Sequence, residues 1–182
     1  MMRRPVAMLA LVASVVAPAA AQSTDAAAKR NLLSINPLGI PFELLTAEYE
    51  RATSSRVTVG VAGNYFGGWY NDDYSLSSAD IKLRFYPNEE ALRGFSIGVA
   101  AGVLRRSDER TVSCSSTSCE TDTVSESWPA LAVLADYNFF LGRRKDFLVG
   151  LGFGAKRAIG NSSDFFDVVV IPSVRFQTGF RF

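Results

Sequence analysis

Catalytic chemistry in this chain would have to rely on lysine, because the sequence contains no histidine. Histidine is the usual general base beside a serine nucleophile in hydrolases and acyltransferases. Lys82 or Lys156 could formally serve a serine instead, but no motif supports such an arrangement. No recognisable cofactor-binding motif is present. The residues therefore predict a protein that has no enzymatic activity and uses no cofactor.

Cys114 and Cys119 are the only cysteines, and they lie in the polar segment 105–127. They lack the further ligands that a zinc site requires. In an oxidising compartment they are expected to form a disulfide that closes a small surface loop, with two free thiols as the alternative. The segment is predicted to be a long outer loop. It either contacts an unknown extracellular ligand or is only a solvated connection.

The N-terminus has the three parts of a secretory signal peptide. Arg3 and Arg4 precede an apolar stretch over 6–16, and three alanines precede Gln22. The apolar stretch falls short of the ~20 residues that a membrane-spanning helix needs. We therefore expect residues 1–21 to be cleaved and residues 22–182 to form one domain. Loss of the two arginines changes the formal charge from +1 to −1, which gives no indication of nucleic-acid binding.

The rest of the sequence alternates between apolar and other residues, in short segments separated by turn residues. A period of two is typical of strands whose two faces meet different surroundings. Eight strands are predicted, at 31–37, 42–51, 56–66, 76–86, 94–104, 128–140, 147–158 and 166–182. Most have about 10 residues, the length that a tilted strand needs to cross a bilayer. The predicted connections after the second, fourth and sixth strands are short, as in membrane barrels.

Two barrel architectures are compatible with this alternation, and they differ in the face that points inward. In a soluble barrel of the lipocalin kind the bulky apolar face would fill the interior. The outer surface would then consist largely of glycine, alanine and serine, around an interior crowded with phenylalanine and valine. In a membrane barrel the large apolar residues contact lipid, and the small and charged residues line the lumen. The composition of the two faces favours the membrane barrel.

Charged residues on the predicted inner face occur on the second, fourth, sixth and eighth strands, and small residues occupy the intervening strands. The candidate lumen residues are Glu48, Glu50, Asp80, Lys82, Arg84, Asp136 and Arg175. The carboxylates of the second strand could reach the cations of the fourth, and Asp136 could reach Arg175. Buried charges need partners, so we expect a salt-bridged network. It would be either a structural plug or the wall of a narrow gated passage, and the small diameter of an eight-stranded barrel favours the plug.

Aromatic residues cluster at the ends of the predicted strands, and the last strand carries Phe176, Phe180 and Phe182 on one face. Together with the signal peptide and the eight alternating strands, this pattern resembles the small bacterial outer-membrane barrels typified by the OmpA transmembrane domain. The segments NLLSINP, AEYER and LRFYP are also similar to one uncharacterised family of such barrels. The resemblance implies contact with outer-membrane lipids. It also implies that the barrel-insertion machinery reads these three phenylalanines as a sorting signal during assembly.

The expected fold is all-β, an eight-stranded antiparallel up-and-down transmembrane β-barrel in the bacterial outer membrane. The expected function is a structural or surface-interaction role without catalysis. The alternative is a narrow channel, or a binding barrel for a small solute or lipid.

Overall fold

A computed structural model describes residues 29–67, 74–114, 119–159 and 170–182, with no description of the side chains of 109–114 and 119–122. The predicted signal peptide lies outside these ranges, as do residues 166–169 of the last predicted strand. The strands are β1 (Asn31–Ile35), β2 (Leu44–Ala52), β3 (Val57–Gly67), β4 (Tyr74–Phe85), β5 (Gly94–Cys114), β6 (Cys119–Leu141), β7 (Phe147–Ala158) and β8 (Val170–Arg181). A single 3-10 turn, Ile40–Phe42, lies between β1 and β2. No helix in the described ranges is long and apolar enough to cross a membrane.

The eight strands form a closed barrel in which each strand pairs with its neighbours in sequence. All pairings are antiparallel, and β1 closes the sheet by pairing with β8 from Leu32↔Arg181 to Ile35↔Thr178. Closure leaves no free strand edge within the barrel wall, so the backbone groups of the wall are satisfied internally. The predicted all-β, eight-stranded up-and-down barrel is confirmed.

The two faces of the sheet are inverted relative to a soluble protein. Large apolar side chains point outward, and Ile81, Phe153 and Val174 are 65%, 67% and 72% exposed. Charged side chains point inward, and Glu48 and Arg84 are only 3% and 2% exposed. A lipocalin-type interior would show the opposite distribution, so the structure rules out that alternative for the described strands.

Apolar side chains pack inside the barrel at both of its ends. We call the end with the short connections 53–56, 86–93 and 142–146 the short-turn end, and the opposite end the hairpin end. At the short-turn end Leu32, Leu92 and Leu148 form a fully buried cluster, the leucine cap. Leu92 reaches this position from a turn in which its φ is 74°, a rare conformation for a residue other than glycine. Its carbonyl accepts a hydrogen bond of 3.1 Å from Asn138 Nδ2, which holds the turn against the lumen.

The predicted outer loop 105–127 is wrong in its secondary structure, because most of it is strand. β5 and β6 continue past the barrel wall as a two-stranded hairpin, paired as far as Cys114↔Cys119 with an irregularity between Thr111 and Ser113. The prediction relied on the polarity of this segment. A hairpin of mostly polar sequence is compatible with water around it, because its backbone groups pair with each other.

Closure of the barrel depends on the small size of Gly179 in β8. A Cβ atom at this position would overlap the carbonyl oxygen of Leu33 and lie 2.8 Å from Cβ of Ser34, both in β1. We expect Gly179→Val to prevent β1–β8 pairing, and with it the fast-migrating form that a closed barrel shows on a gel when the sample is not boiled. Gly63→Val is the matched control, because a Cβ there meets nothing within 4 Å. A mobility shift retained by the Gly179 variant would contradict this role.

Candidate functional site

The site with the most concentrated chemistry is the lumen, where alternate residues of the strands point inward. β2, β4, β6 and β8 contribute the charged side chains that the sequence predicts, and β3, β5 and β7 separate them with smaller residues. Six of the seven predicted residues meet in one cluster, which we call the central network. Its members are Glu48, Glu50, Lys82, Arg84, Asp136 and Arg175.

Arg84 is the centre of this network and contacts three carboxylates. Its Nη1 donates to Glu48 Oε1 and, at 2.6 Å, to Glu50 Oε2. Its Nε donates to Asp136 Oδ2 at 2.9 Å. The guanidinium carries its donors in a fixed planar fork, so one side chain can bind carboxylates from both sides of the lumen. Arg84 therefore joins β4 to β2 and to β6.

Glu48 is the second junction of the network, since it also contacts two further cations. Lys82 Nζ and Arg175 Nη2 each lie 2.5 Å from Glu48 Oε2. Arg175 Nη1 is also 3.2 Å from Asp136 Oδ1, which links β8 to β6. Three carboxylates thus face three cations in the interior of the barrel. This balance is what makes buried charge tolerable.

Glycine makes the network sterically possible at two positions. A Cβ on Gly98 in β5 would lie 2.8 Å from Cγ of Arg84, and a Cβ on Gly152 in β7 would overlap the carboxylate of Asp136. Each long side chain therefore lies flat over a glycine of the next strand. The small residues of β3, β5 and β7 are the sequence signal of this arrangement.

Asp80, the seventh predicted residue, lies apart from the central network. Its Oδ2 is 2.6 Å from Nζ of Lys156 in β7, and Asn64 and Ser78 also contact this oxygen. The predicted network omits Lys156. Its place in the inward sequence Gly150, Gly152, Gly154, Lys156 is the signal that identifies it. We call Asp80 and Lys156 the upper pair, because it lies on the hairpin side of the central network.

Neutral hydrogen bonds connect the central network to the leucine cap. Tyr86, which is fully buried, donates to Glu50 Oε1 at 2.9 Å, and Thr58 Oγ1 donates to the same oxygen. Asn138 is within 3.4 Å of the Tyr86 hydroxyl and donates to the Leu92 carbonyl. From the network to the short-turn end the lumen is therefore filled first by polar groups and then by leucine.

The lysines considered for serine activation are both ion-paired. Lys156 Nζ does lie 2.9 Å from Ser78 Oγ, but it also contacts Asp80, to which Ser78 donates its own hydrogen bond. An ammonium paired with a carboxylate acts as a donor and does not accept a serine proton. In the part of the chain that the structure describes, no group of three or more potential metal ligands is present.

The other predicted site residues lie outside the lumen. Cys114 and Cys119 are Cα partners at the far end of the hairpin. Their side chains are not among those described, so the disulfide stays a prediction. Phe180 and Phe182 point outward and are 62% and 58% exposed, and the Phe180 ring lies 5.3 Å from that of Phe147. Phe176 is half-buried opposite Leu151. The sorting role of these phenylalanines also stays a prediction.

The chain is similar to known proteins in its structure. No family model matches the sequence. No curated protein sequence matches it either. The crystal structure of the N-terminal β-barrel domain of Pseudomonas aeruginosa OprF superimposes with a TM-score of 0.50 and 13% identity, covering 85% of this chain and 98% of that one. The outer membrane protein Ail of Yersinia pestis, solved in a phospholipid bilayer nanodisc, gives a TM-score of 0.48 and 12% identity, covering 85% and 100%.

The chain has the fold of the small OmpA-like barrels. This conclusion rests on the closed eight-stranded sheet together with the match to the OprF domain, and it confirms the resemblance seen in the sequence. At this level of identity the similarity concerns the fold.

Replacement of Arg84 tests the central network. In Arg84→Met, Glu50 loses the cation that it contacts, and we expect the free energy of unfolding in lipid vesicles to fall by about 3–5 kcal/mol. Adding Glu50→Gln removes the unpaired charge and should recover part of the loss. Arg93→Ala, which breaks an exposed pair with Glu90, serves as the control and should cost at most about 1 kcal/mol. Equal small effects of the Arg84 and Arg93 changes would show that the network does not stabilise the barrel.

Proposed function

We propose that the chain is an integral outer-membrane barrel with a structural or surface-interaction role and no enzymatic activity. The observation that carries this proposal is the inverted distribution of side chains. An apolar surface that surrounds the whole barrel would be costly in water and is favourable in lipid. Outward aromatic residues at the short-turn end, including Phe85, Phe95 and Phe139, would lie at the level of the lipid headgroups. Insertion would require the barrel-insertion machinery, with the phenylalanines of β8 as its signal.

The structural role is supported by the way the lumen is closed. The central network, the Tyr86 and Asn138 hydrogen bonds, and the leucine cap follow one another along the barrel axis. Each layer joins strands that are not neighbours in the sheet. The arrangement therefore stabilises the barrel, and it separates the hairpin end from the short-turn end without a continuous passage.

The surface-interaction role is supported by the hairpin of β5 and β6. This hairpin extends beyond the last barrel pairings, Tyr74↔Asp108 and Ala130↔Ala158. Residues 123–127 are exposed. An unknown extracellular ligand at segment 105–127 would meet this hairpin first. Comparison of the proteins captured by the full chain and by a chain shortened over 108–124 tests this role.

A substitution of the outward surface tests the membrane environment. Val99 is 54% exposed midway along the barrel part of β5, and Val124 is 41% exposed on the hairpin. We expect Val99→Arg to lower the free energy of unfolding in lipid vesicles by about 2–4 kcal/mol, because it would place a charge in the hydrocarbon region. Val124→Arg should change it by less than about 0.5 kcal/mol, because this position would face water. Two equally neutral substitutions would contradict membrane insertion.

Conductance distinguishes the sealed barrel from the channel alternative. We expect no discrete conductance steps from the unmodified protein in planar lipid bilayers. Two double variants should also be closed: Arg84→Met with Glu50→Gln, and Leu92→Ala with Leu148→Ala. Each removes only one of the two layers, the central network or the leucine cap, that close the lumen. The four changes together should produce measurable steps. Conductance of the unmodified protein would favour the channel instead.

A further inference from the structure

The hairpin half of the lumen contains a cavity of about 190 Å³ that the closing layers leave unfilled. The leucine cap and the central network lie beneath it, so it has no passage toward the short-turn end. The volume is somewhat larger than the ~150 Å³ cavity that holds benzene in an engineered protein. A small organic molecule, and not only water, therefore fits this space.

The floor of the cavity is positively charged. Lys82, Arg175 and Lys156 line it, together with a single carboxylate, Asp80, which pairs with Lys156. The carboxylates of the central network do not line it, among the residues that the structure describes. They lie behind their cations as seen from the cavity. The network is neutral as a whole and presents its cationic side to this space.

Lys82 and Arg175 are close enough to bind one anion together. Each has a nitrogen 2.5 Å from Glu48 Oε2, so these two nitrogens are at most about 5 Å apart. The Lys82 side chain is 6% exposed, and within the described residues Glu48 is the acceptor that its ammonium contacts. An ammonium has three donors. The remaining hydrogen-bonding capacity of a deeply buried cation is thus unused beside an open cavity.

One side of the upper wall of the cavity is apolar, and Leu76, Leu104, Leu134 and Ile171 line it. Asn36, Thr46 and Asn64 line the side formed by β1–β3. Leu104 belongs to a buried cluster with Ala130 and Ala158, against which Leu76, Trp128 and Ile171 pack at the hairpin end. A ligand with its charged group on the floor would therefore have its opposite end among leucine and isoleucine side chains.

We propose that this cavity binds a small carboxylate with an apolar body, its carboxylate toward Lys82 and Arg175 and its apolar part toward Leu104 and Ile171. Charge-assisted hydrogen bonds would hold the head, and burial would hold the body. The site rests on the proposed function, since a sealed lumen is what makes it a cup that is closed toward the short-turn end. It narrows the binding-barrel alternative to one class of ligand.

Hexanoate is the probe, with hexan-1-ol and hexylamine as neutral and cationic analogues of the same chain. Trp69→Phe leaves Trp128 at the rim as the one tryptophan. The protein is held in lipid nanodiscs, and Trp128 fluorescence is titrated. We expect a saturable response to hexanoate, and binding of both analogues weaker by at least about tenfold, because they lack the charge-assisted contacts.

Two variants locate the binding within the lumen. Lys82→Met should weaken hexanoate binding by at least about tenfold, while Ser173→Phe should abolish it by filling the cavity that Ser173 lines. Val133→Phe is the matched control, because Val133 is 60% exposed on the outer face and does not line the cavity. Each variant is first checked for the mobility shift of a closed barrel. If the Ser173 variant does not form a closed barrel, hexanoate binding to the Lys82 variant is the test of the proposal.

Three results would overturn the proposal: no saturable response to hexanoate, equal binding of the three probes, or unchanged binding to the Lys82 variant. The proposed function would still hold after any of these results if Val99→Arg strongly destabilises the barrel and the unmodified protein shows no conductance steps. Conductance of the unmodified protein would instead remove the sealed lumen on which the cup depends.

Discussion

The contact of Arg84 with three carboxylates is the interaction on which the rest of the lumen depends. A guanidinium with 2% of its side chain exposed is tolerable only where its charge is matched. The matching charges come from Glu48 and Glu50 on β2 and from Asp136 on β6. Lys82 and Arg175 then balance the carboxylates in turn. Each buried charge in the central network is therefore compensated by the others, and the loss of one would leave its partners unpaired.

This requirement constrains the register of the sheet. Side chains alternate between the two faces, so a slip of one residue in any strand would move its charges outward and its apolar residues inward. Arg84 lies opposite Thr58 on β3 and Gly98 on β5, and this register brings it within reach of Glu50 and Asp136. The network and the apolar surface therefore specify the same pairing. Gly98 and Gly152 contribute by leaving the space that Arg84 and Asp136 occupy.

Filling of the lumen is uneven along the barrel axis. The short-turn half is occupied by the central network, Tyr86, Asn138 and the leucine cap. The hairpin half keeps a cavity with a cationic floor and an upper wall that is apolar on one side. A structural barrel needs the first half, whereas the second half has room for the ligand that we propose. The hairpin of β5 and β6 extends from the same end, so the two candidate interaction sites share one side of the protein.

Period-two alternation by itself determined the strands, the inward and outward faces, and all the lumen charges of the central network, because side-chain parity is a local property of the backbone. Six of the strands lie within a few residues of their predicted limits. β5 and β6 extend farther, because polarity alone does not distinguish a loop from a hairpin in water. The tertiary structure decided which charges meet. Arg84 contacts Asp136 two strands away, Lys156 contacts Asp80 across the lumen, and Leu92 folds under the barrel. Those contacts depend on the tilt and closure of the whole sheet, which the pairing of β1 with β8 completes and which no single segment contains.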